Sequence, residues 1–379
     1  MMTKRQHTVF NLRLLRLARL AGAWVMLFAI GAVMTDRSVT ARATPQRLAD
    51  NGWIEEKSVA DGDLWVRWFD SRSTVEVKLK GSLELTRDER DIRAISPNGQ
   101  LLIREQMGAS NVLFEARPGS SRYLIRRFVT EGGSGQRESA WLARVLPDLL
   151  RNTGVNADTR VRRLYQRGGV YRVLREIPLI RSDRVKSIYY QELLKGRALS
   201  TAAQRRVMRQ AGKEIASDGE KASFLVETAA TYVRREDRAT GAYFKTLESV
   251  SSEEELERVL LALIERKDLP RTSLLRVIRA AGNISSDDVK GTLLLRSIDA
   301  PAADGIVVSA LLNQVKEISA DELQGRLLLA VLDRAELSQS TLKRIELLAK
   351  EEITSDASQQ EVLEKLDRWK SSKSRSSLR

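Results

Sequence analysis

Hydrophobic and polar residues alternate through the early part of this chain and return at helical spacing through the rest. In residues 50–130, Asp63-Leu64-Trp65-Val66-Arg67-Trp68-Phe69, Thr74-Val75-Glu76-Val77-Lys78-Leu79 and Asn111-Val112-Leu113-Phe114-Glu115 place aromatic and β-branched residues between Gly, Asp, Asn and Ser. That pattern predicts strands. Asn-Gly within Pro97-Asn98-Gly99 predicts a hairpin joining residues 91–96 to residues 100–106. The expectation for residues 50–136 is a small, mostly antiparallel β domain of about five to seven strands.

From residue 180 a phrase returns six times at a spacing of 34 or 35 residues, beginning with Ile180-Arg181-Ser182-Asp183. The later copies are Ile215-Ala216-Ser217-Asp218, Val250-Ser251-Ser252-Glu253, Ile284-Ser285-Ser286-Asp287, Ile318-Ser319-Ala320-Asp321 and Ile353-Thr354-Ser355-Asp356. Ser before an acid predicts a helix start: the hydroxyl accepts from a first-turn amide, and the acid favours the positive end of the helix dipole. Asp183, Asp218, Glu253, Asp287, Asp321 and Asp356 are therefore read as repeat caps, with Asp321 itself capping where Ala320 replaces Ser. Ser217 with Glu220, and Ser252 with Glu255, also have capping-box spacing.

Nine and ten residues after each leading Ile or Val stands an apolar pair: Tyr189-Tyr190, Phe224-Leu225, Val259-Leu260, Leu293-Leu294, Leu327-Leu328 and Val362-Leu363. A second cluster follows in Val207-Met208, Tyr243-Phe244, Val277-Ile278, Leu311-Leu312 and Ile345 with Leu347-Leu348. Two buried stripes separated by breakers such as Asp268-Leu269-Pro270 predict two antiparallel helices per unit. A fixed period in the range of about 20 to 50 residues marks a solenoid, whose units bury their apolar faces against neighbours. The register puts Leu293 and Leu294 inside and Lys290 on the outer side. The fold class expected is α+β, with an α-helical hairpin (αα) solenoid over residues 137–366 and a basic disordered tail over 367–379.

The Trp-x-x-Leu-Gly signature of tetratricopeptide repeats is missing. The repeated Ile, Ser-Asp phrase with Lys three residues on, at Lys186, Lys221 and Lys290, resembles poorly characterised bacterial exported or membrane-anchored helical-repeat proteins. It is similar to the extracytoplasmic repeat region attached to some zinc-metallopeptidase antirepressor-type sensors, over roughly residues 75–366, which take in Ile95-Ser96-Pro97-Asn98-Gly99 and the run from Trp141 to Pro147. The His-Glu-x-x-His helix that such a peptidase requires is absent from the chain.

Composition narrows the chemistry. There is no cysteine, and the single histidine, His7, lies in the opening segment, which removes thiolate and imidazole chemistry from the rest. Phosphate-binding Gly-rich loops and an EF-hand loop are missing, and Gly132-Gly133-Ser134-Gly135 reads as a turn or linker. Asp61-Gly62-Asp63 is read as a turn rather than a calcium loop, and Trp65 and Trp68 as sheet packing rather than a ligand groove. Accordingly no cofactor, metal or catalytic residue is assigned, and the chain is not read as an enzyme.

Residues 1–43 carry Lys4, Arg5, Arg13, Arg16 and Arg19 before an uncharged stretch at 20–35 and then Ala41-Arg42-Ala43. Two readings stay open: a cleaved secretory signal, or an uncleaved anchor in the inner membrane. Either gives an exported, periplasmic or extracytoplasmic location. The net charge of +14 is uneven, with 18 basic and 6 acidic residues over 137–213 against 19 and 27 over 214–363. Arg160, Arg162, Arg163, Arg167, Arg172 and Arg175 form the candidate basic patch for an acidic protein or an anionic membrane surface. The function expected is a non-enzymatic envelope scaffold for protein–protein interaction. The alternatives are an anchored sensor arm of an envelope signalling system and, less favoured, a nucleic-acid-binding repeat protein.

Overall fold

The computed structural model describes residues 46–47, 53–58, 63–69, 73–120, 123–132, 136–234, 237–334 and 337–376. The apolar stretch at 20–35 and its flanks lie outside them. Among the described residues no helix is long and apolar enough to cross a membrane.

The β-rich part carries β1 (Gln46–Arg47), β2 (Trp53–Ser58), β3 (Leu64–Phe69), β4 (Thr74–Lys80), β5 (Leu83–Leu85), β6 (Ile92–Ile95), β7 (Gln100–Met107), β8 (Ser110–Pro118) and β9 (Leu124–Glu131). Seven strands form one sheet in the order β1-β2-β3-β4-β7-β8-β9, and β5 pairs with β6 in a second, two-stranded sheet. Every pairing from β2 onward is antiparallel. Alternation supplies the buried face: Val66, Val77, Ile103 and Phe114 are successive cross-strand partners, and all four are fully buried.

The hairpin expected at Asn98-Gly99 does not form between the strands named for it. Asn98 does take the left-handed conformation, with φ 62°, but β6 pairs back onto β5 while β7 pairs with β4 and β8. The turn thus carries the chain from one sheet to the other. The tight hairpin lies one strand later, at Gly108-Ala109 between Met107 and Ser110, where Gly108 supplies φ 58°.

Helix α1 (Glu138–Thr153) closes this core rather than starting the array. Its inward residues Trp141, Leu142, Val145, Leu146, Leu149 and Leu150 recur at helical spacing and are buried against the sheet. Burying side chains of this size contributes about 1.5–3 kcal/mol each. Glu105 stands on the same buried face of the sheet, between Val75 and Val112, and its side chain has no exposed surface. Trp141 Nε1 donates to it at 2.6 Å and Arg144 at 2.8 Å and 2.5 Å, so one carboxylate fixes α1 to the sheet.

The array proper begins with α2 (Ala157–Glu176), which is broken where Gly168 and Gly169 leave helical geometry. Then come five hairpins: α3 (Asp183–Leu194) with α4 (Thr201–Glu214), α5 (Asp218–Tyr232) with α6 (Arg238–Leu247), α7 (Glu253–Ile264) with α8 (Arg271–Ala281), α9 (Asp287–Ile298) with α10 (Gly305–Val315), and α11 (Asp321–Leu332) with α12 (Gln339–Glu351). The last helix, α13 (Asp356–Ser376), starts a sixth unit. First helices stack on first helices along the whole series, and α4 on α6, α8 on α10 and α10 on α12 form a second layer.

The apolar pairs hold their predicted place. From Tyr189-Tyr190 through Leu327-Leu328 all ten residues are buried, as is Val362, while Leu363 is partly buried. Leu347, expected in the second stripe, is instead 52% exposed beside the buried Leu348. Helix α13 continues to Ser376, so the segment expected to be a disordered tail from 367 is helical over most of its length. Trp369 packs against the array core, and Lys370 reaches Glu346 at 2.8 Å.

Candidate functional site

The acids that open the repeats do not cap their own helices. In α3, α5, α7 and α9 the N-cap is the preceding Ser, whose hydroxyl accepts from the amide three residues on. The acid reaches forward into the next unit. Asp183 Oδ2 accepts from the amides of Ala216 and Ser217, and Asp218 Oδ2 from those of Ser251 and Ser252, all four at 2.8 Å. Glu253 accepts from Ser285, Asp287 from Ser319, and Asp321 from Thr354 and Ser355. Each carboxylate thus holds the entry of the following first helix. The expected side-chain capping by Asp321 is absent: Ala320 is the N-cap residue and no side-chain cap bond forms there.

Two of these acids are held below their ordinary carboxylate values. The Ser285 amide does this for Glu253, and the Thr354 hydroxyl followed by the Ser355 and Thr354 amides does it for Asp321. The position three residues later is a donor that faces the other way. Lys186 Nζ donates to the Glu214 carbonyl, Lys221 to Ser249 and Lys290 to Glu317, each at the end of the second helix of the same unit. Where the sequence has Gln instead, Gln324 donates to Ile318 and Gln359 to Ile353. Lys290 is consequently 6% exposed, which corrects its expected outer placement. The physical reason is helical spacing: Lys290 lies one turn before the buried Leu294, on the same face.

The six-arginine patch is divided by the fold. Arg160 is 3% exposed; its guanidinium meets Glu89 and Glu176 at 2.8 Å and the Tyr189 hydroxyl at 2.9 Å. Burial opposes its charge, yet Tyr189, Glu176 and Glu89 hold its pKa above the usual arginine value. Arg163 meets the other oxygen of Glu89 at 2.6 Å, and Arg167 donates to the Arg87 carbonyl. These three arginines hold the loop between β5 and β6 against α2, and Arg160 and Arg163 are not available as a docking patch. Arg162, Arg172 and Arg175 remain exposed.

Trp68 is buried in the sheet as expected of packing. Trp65, on the opposite face, is half-buried and donates to Glu76 at 2.8 Å. That open face holds a shallow groove of roughly 360 Å³ lined by Arg67, Glu76, Arg104, Leu113, Arg127 and Val129, with charges of both signs. Asp63 accepts from the Gly81 amide, a turn contact. Among the described residues no group of three or more His, Cys, Asp or Glu is placed to hold a metal ion.

A charge pattern that lengthwise counting passed over separates the two helix layers. α4, α6 and α8 carry Arg205, Arg206, Arg209, Lys213, Arg238, Lys245, Arg271, Arg276 and Arg279 with one acid, Glu214. The neighbouring first helices α5 and α7 carry seven acids and only Lys221 and Arg258. Counting charge by alternate helices would have found it. No protein-family model, curated protein or solved structure matches this chain.

Proposed function

We propose that this chain is a non-enzymatic envelope protein whose helical-hairpin array is a scaffold for protein–protein interaction. The observation that carries this reading is the employment of the repeat acids. The most regular set of carboxylates in the chain is engaged with backbone amides of the next unit, at 2.8 Å in Asp183, Asp218, Glu253 and Asp287. Groups held this way stiffen the joints of a solenoid and leave its outer faces for recognition. The absence of cysteine, and of any histidine after His7, supports the same reading. The basic residues before the apolar stretch at 20–35 support an extracytoplasmic location.

The test is photo-crosslinking in cells that make the protein naturally, with the crosslinking residue placed in turn at Arg209, Lys245, Arg279, Arg326 and Leu347. A discrete adduct to one protein, from positions that adjoin on one face, is the expected result. Adducts at none of the five positions would overturn the scaffold reading.

A further inference from the structure

We propose that the second helices of the first three hairpins, α4, α6 and α8, form the docking face for an acidic polypeptide segment. This rests on the scaffold reading and names the chemistry of the partner. Helical spacing sets the direction of the charges. Val207, Met208 and Ala211 turn α4 inward, so Arg206, Arg209 and Lys213 recur on its outer side and are exposed. Lys245 is the one exposed position between Ala242 and Leu247 on α6, and Arg279 is exposed opposite the buried Leu274, Val277 and Ile278 of α8.

Elsewhere on this array exposed basic side chains often meet a carboxylate, as Arg258 does Glu255, and Lys350 and Lys370 do Glu346. Arg206, Arg209, Lys213, Lys245 and Arg279 meet none among the described residues. Two neighbours are already ordered by aromatic rings: the Arg206 guanidinium lies 4.8 Å from the Tyr171 ring centre and that of Arg276 lies 5.5 Å from Phe244. A guanidinium fixed this way loses less freedom when it takes a carboxylate in bidentate fashion.

The same geometry favours a polypeptide over a nucleic acid. Single-stranded nucleic acid is held by rings on which bases stack. Among the described residues the one exposed aromatic side chain near the stripe is Tyr171, and the Arg206 guanidinium already lies over its ring. A longer polyanion would also meet the first-helix layer, where Glu220, Glu227, Glu254 and Glu257 repel it. A short acidic segment lying along the second helices meets nine basic residues and one acid, Glu214.

The experiment is fluorescence anisotropy on the full chain with a labelled peptide of about ten glutamates, at low salt and again near physiological ionic strength, where exposed charges are screened over about 8 Å. The triple reversal Arg206→Glu, Arg209→Glu, Lys245→Glu is compared with Arg296→Glu, Arg326→Glu, Arg368→Glu, which changes the net charge equally on first helices and α13. If the first triple reversal lowers helical circular dichroism, the Gln versions of the same three positions replace it. The expected result is salt-sensitive binding, weakened by at least about ten-fold in the stripe variant and by less than about three-fold in the control. Equal losses in both variants, or no binding at low salt, would overturn the proposal. So would tighter binding of a single-stranded oligonucleotide of the same charge, or self-association of the chain that the stripe variant abolishes. The crosslinking scan is independent of this probe, so a chain that ignores the peptide yet crosslinks its partner loses the stripe and keeps the scaffold.

Discussion

Arg160 and Arg162 stand two residues apart in α2 and have opposite surroundings. Arg160 is enclosed by Glu89, Glu176 and Tyr189, while Arg162 is exposed with Asp158 at 3.7 Å. Without Arg160, Glu89 keeps Arg163 and Glu176 keeps Arg151, so the loss is that of buried charge-assisted hydrogen bonds and not of a whole ion pair. Arg160→Ala should therefore lower stability by about 1.5–3 kcal/mol in urea denaturation, whereas Arg162→Ala should leave the midpoint unchanged. Lys290 allows a finer test. Lys290→Ala removes the bond to the Glu317 carbonyl, a loss of about 1 kcal/mol because water can reach that exposed residue. Lys290→Gln should not recover it, because Gln324 and Gln359 reach back to the carbonyls of Ile318 and Ile353 ahead of their own helices and not forward to the end of the second helix. Leu294→Ala, in a fully buried position one turn on, should cost about 2–5 kcal/mol.

At the scale of the element, the joints are not equal. The third hairpin has Glu253 where the others have Asp, and Leu256 where they have Lys or Gln, so its seam lacks the second donor. Acid should find the seams at Glu253 and Asp321. Their folded pKa values are depressed, so each contributes stability that is present above the ordinary carboxylate range of about 4 and is lost as pH falls through the lower folded value. Between pH 5 and the acid limit, the melting temperature of the wild type should therefore fall more steeply than that of Asp321→Asn, which has nothing to titrate there. Parallel slopes would remove Asp321 from the seam. The starts of these helices were legible because Ser followed by an acid is a local signal, and the apolar pairs because they keep one period. The partner of each acid was not, since Asp218 and Ser252 are 34 residues apart and only stacking brings them together. Lys290 was misread although its spacing from Leu294 held the answer, and Asn98-Gly99 was misread because a turn fixes a reversal but not which strand lies beyond it.

The described residues from Arg47 on join a sheet, closed by α1 through Glu105, to a two-layered array whose layers differ in charge from α4 to α8. The opening residues add a prediction about place. A reporter fused after residue 50 should be active outside the cytoplasm, and activity confined to the cytoplasm would contradict export and bring back the nucleic-acid reading. The proposed scaffold reading depends on one premise: the repeat acids belong to the joints. Hydrogen exchange measured by mass spectrometry on the wild type and on Asp218→Ala tests it directly. The account expects protection to be lost at Ser251 and Ser252 and weakened through the start of α7, with the sheet unchanged. Unchanged protection at those two amides would contradict it, leaving the acids free of the joints and available for some other chemistry.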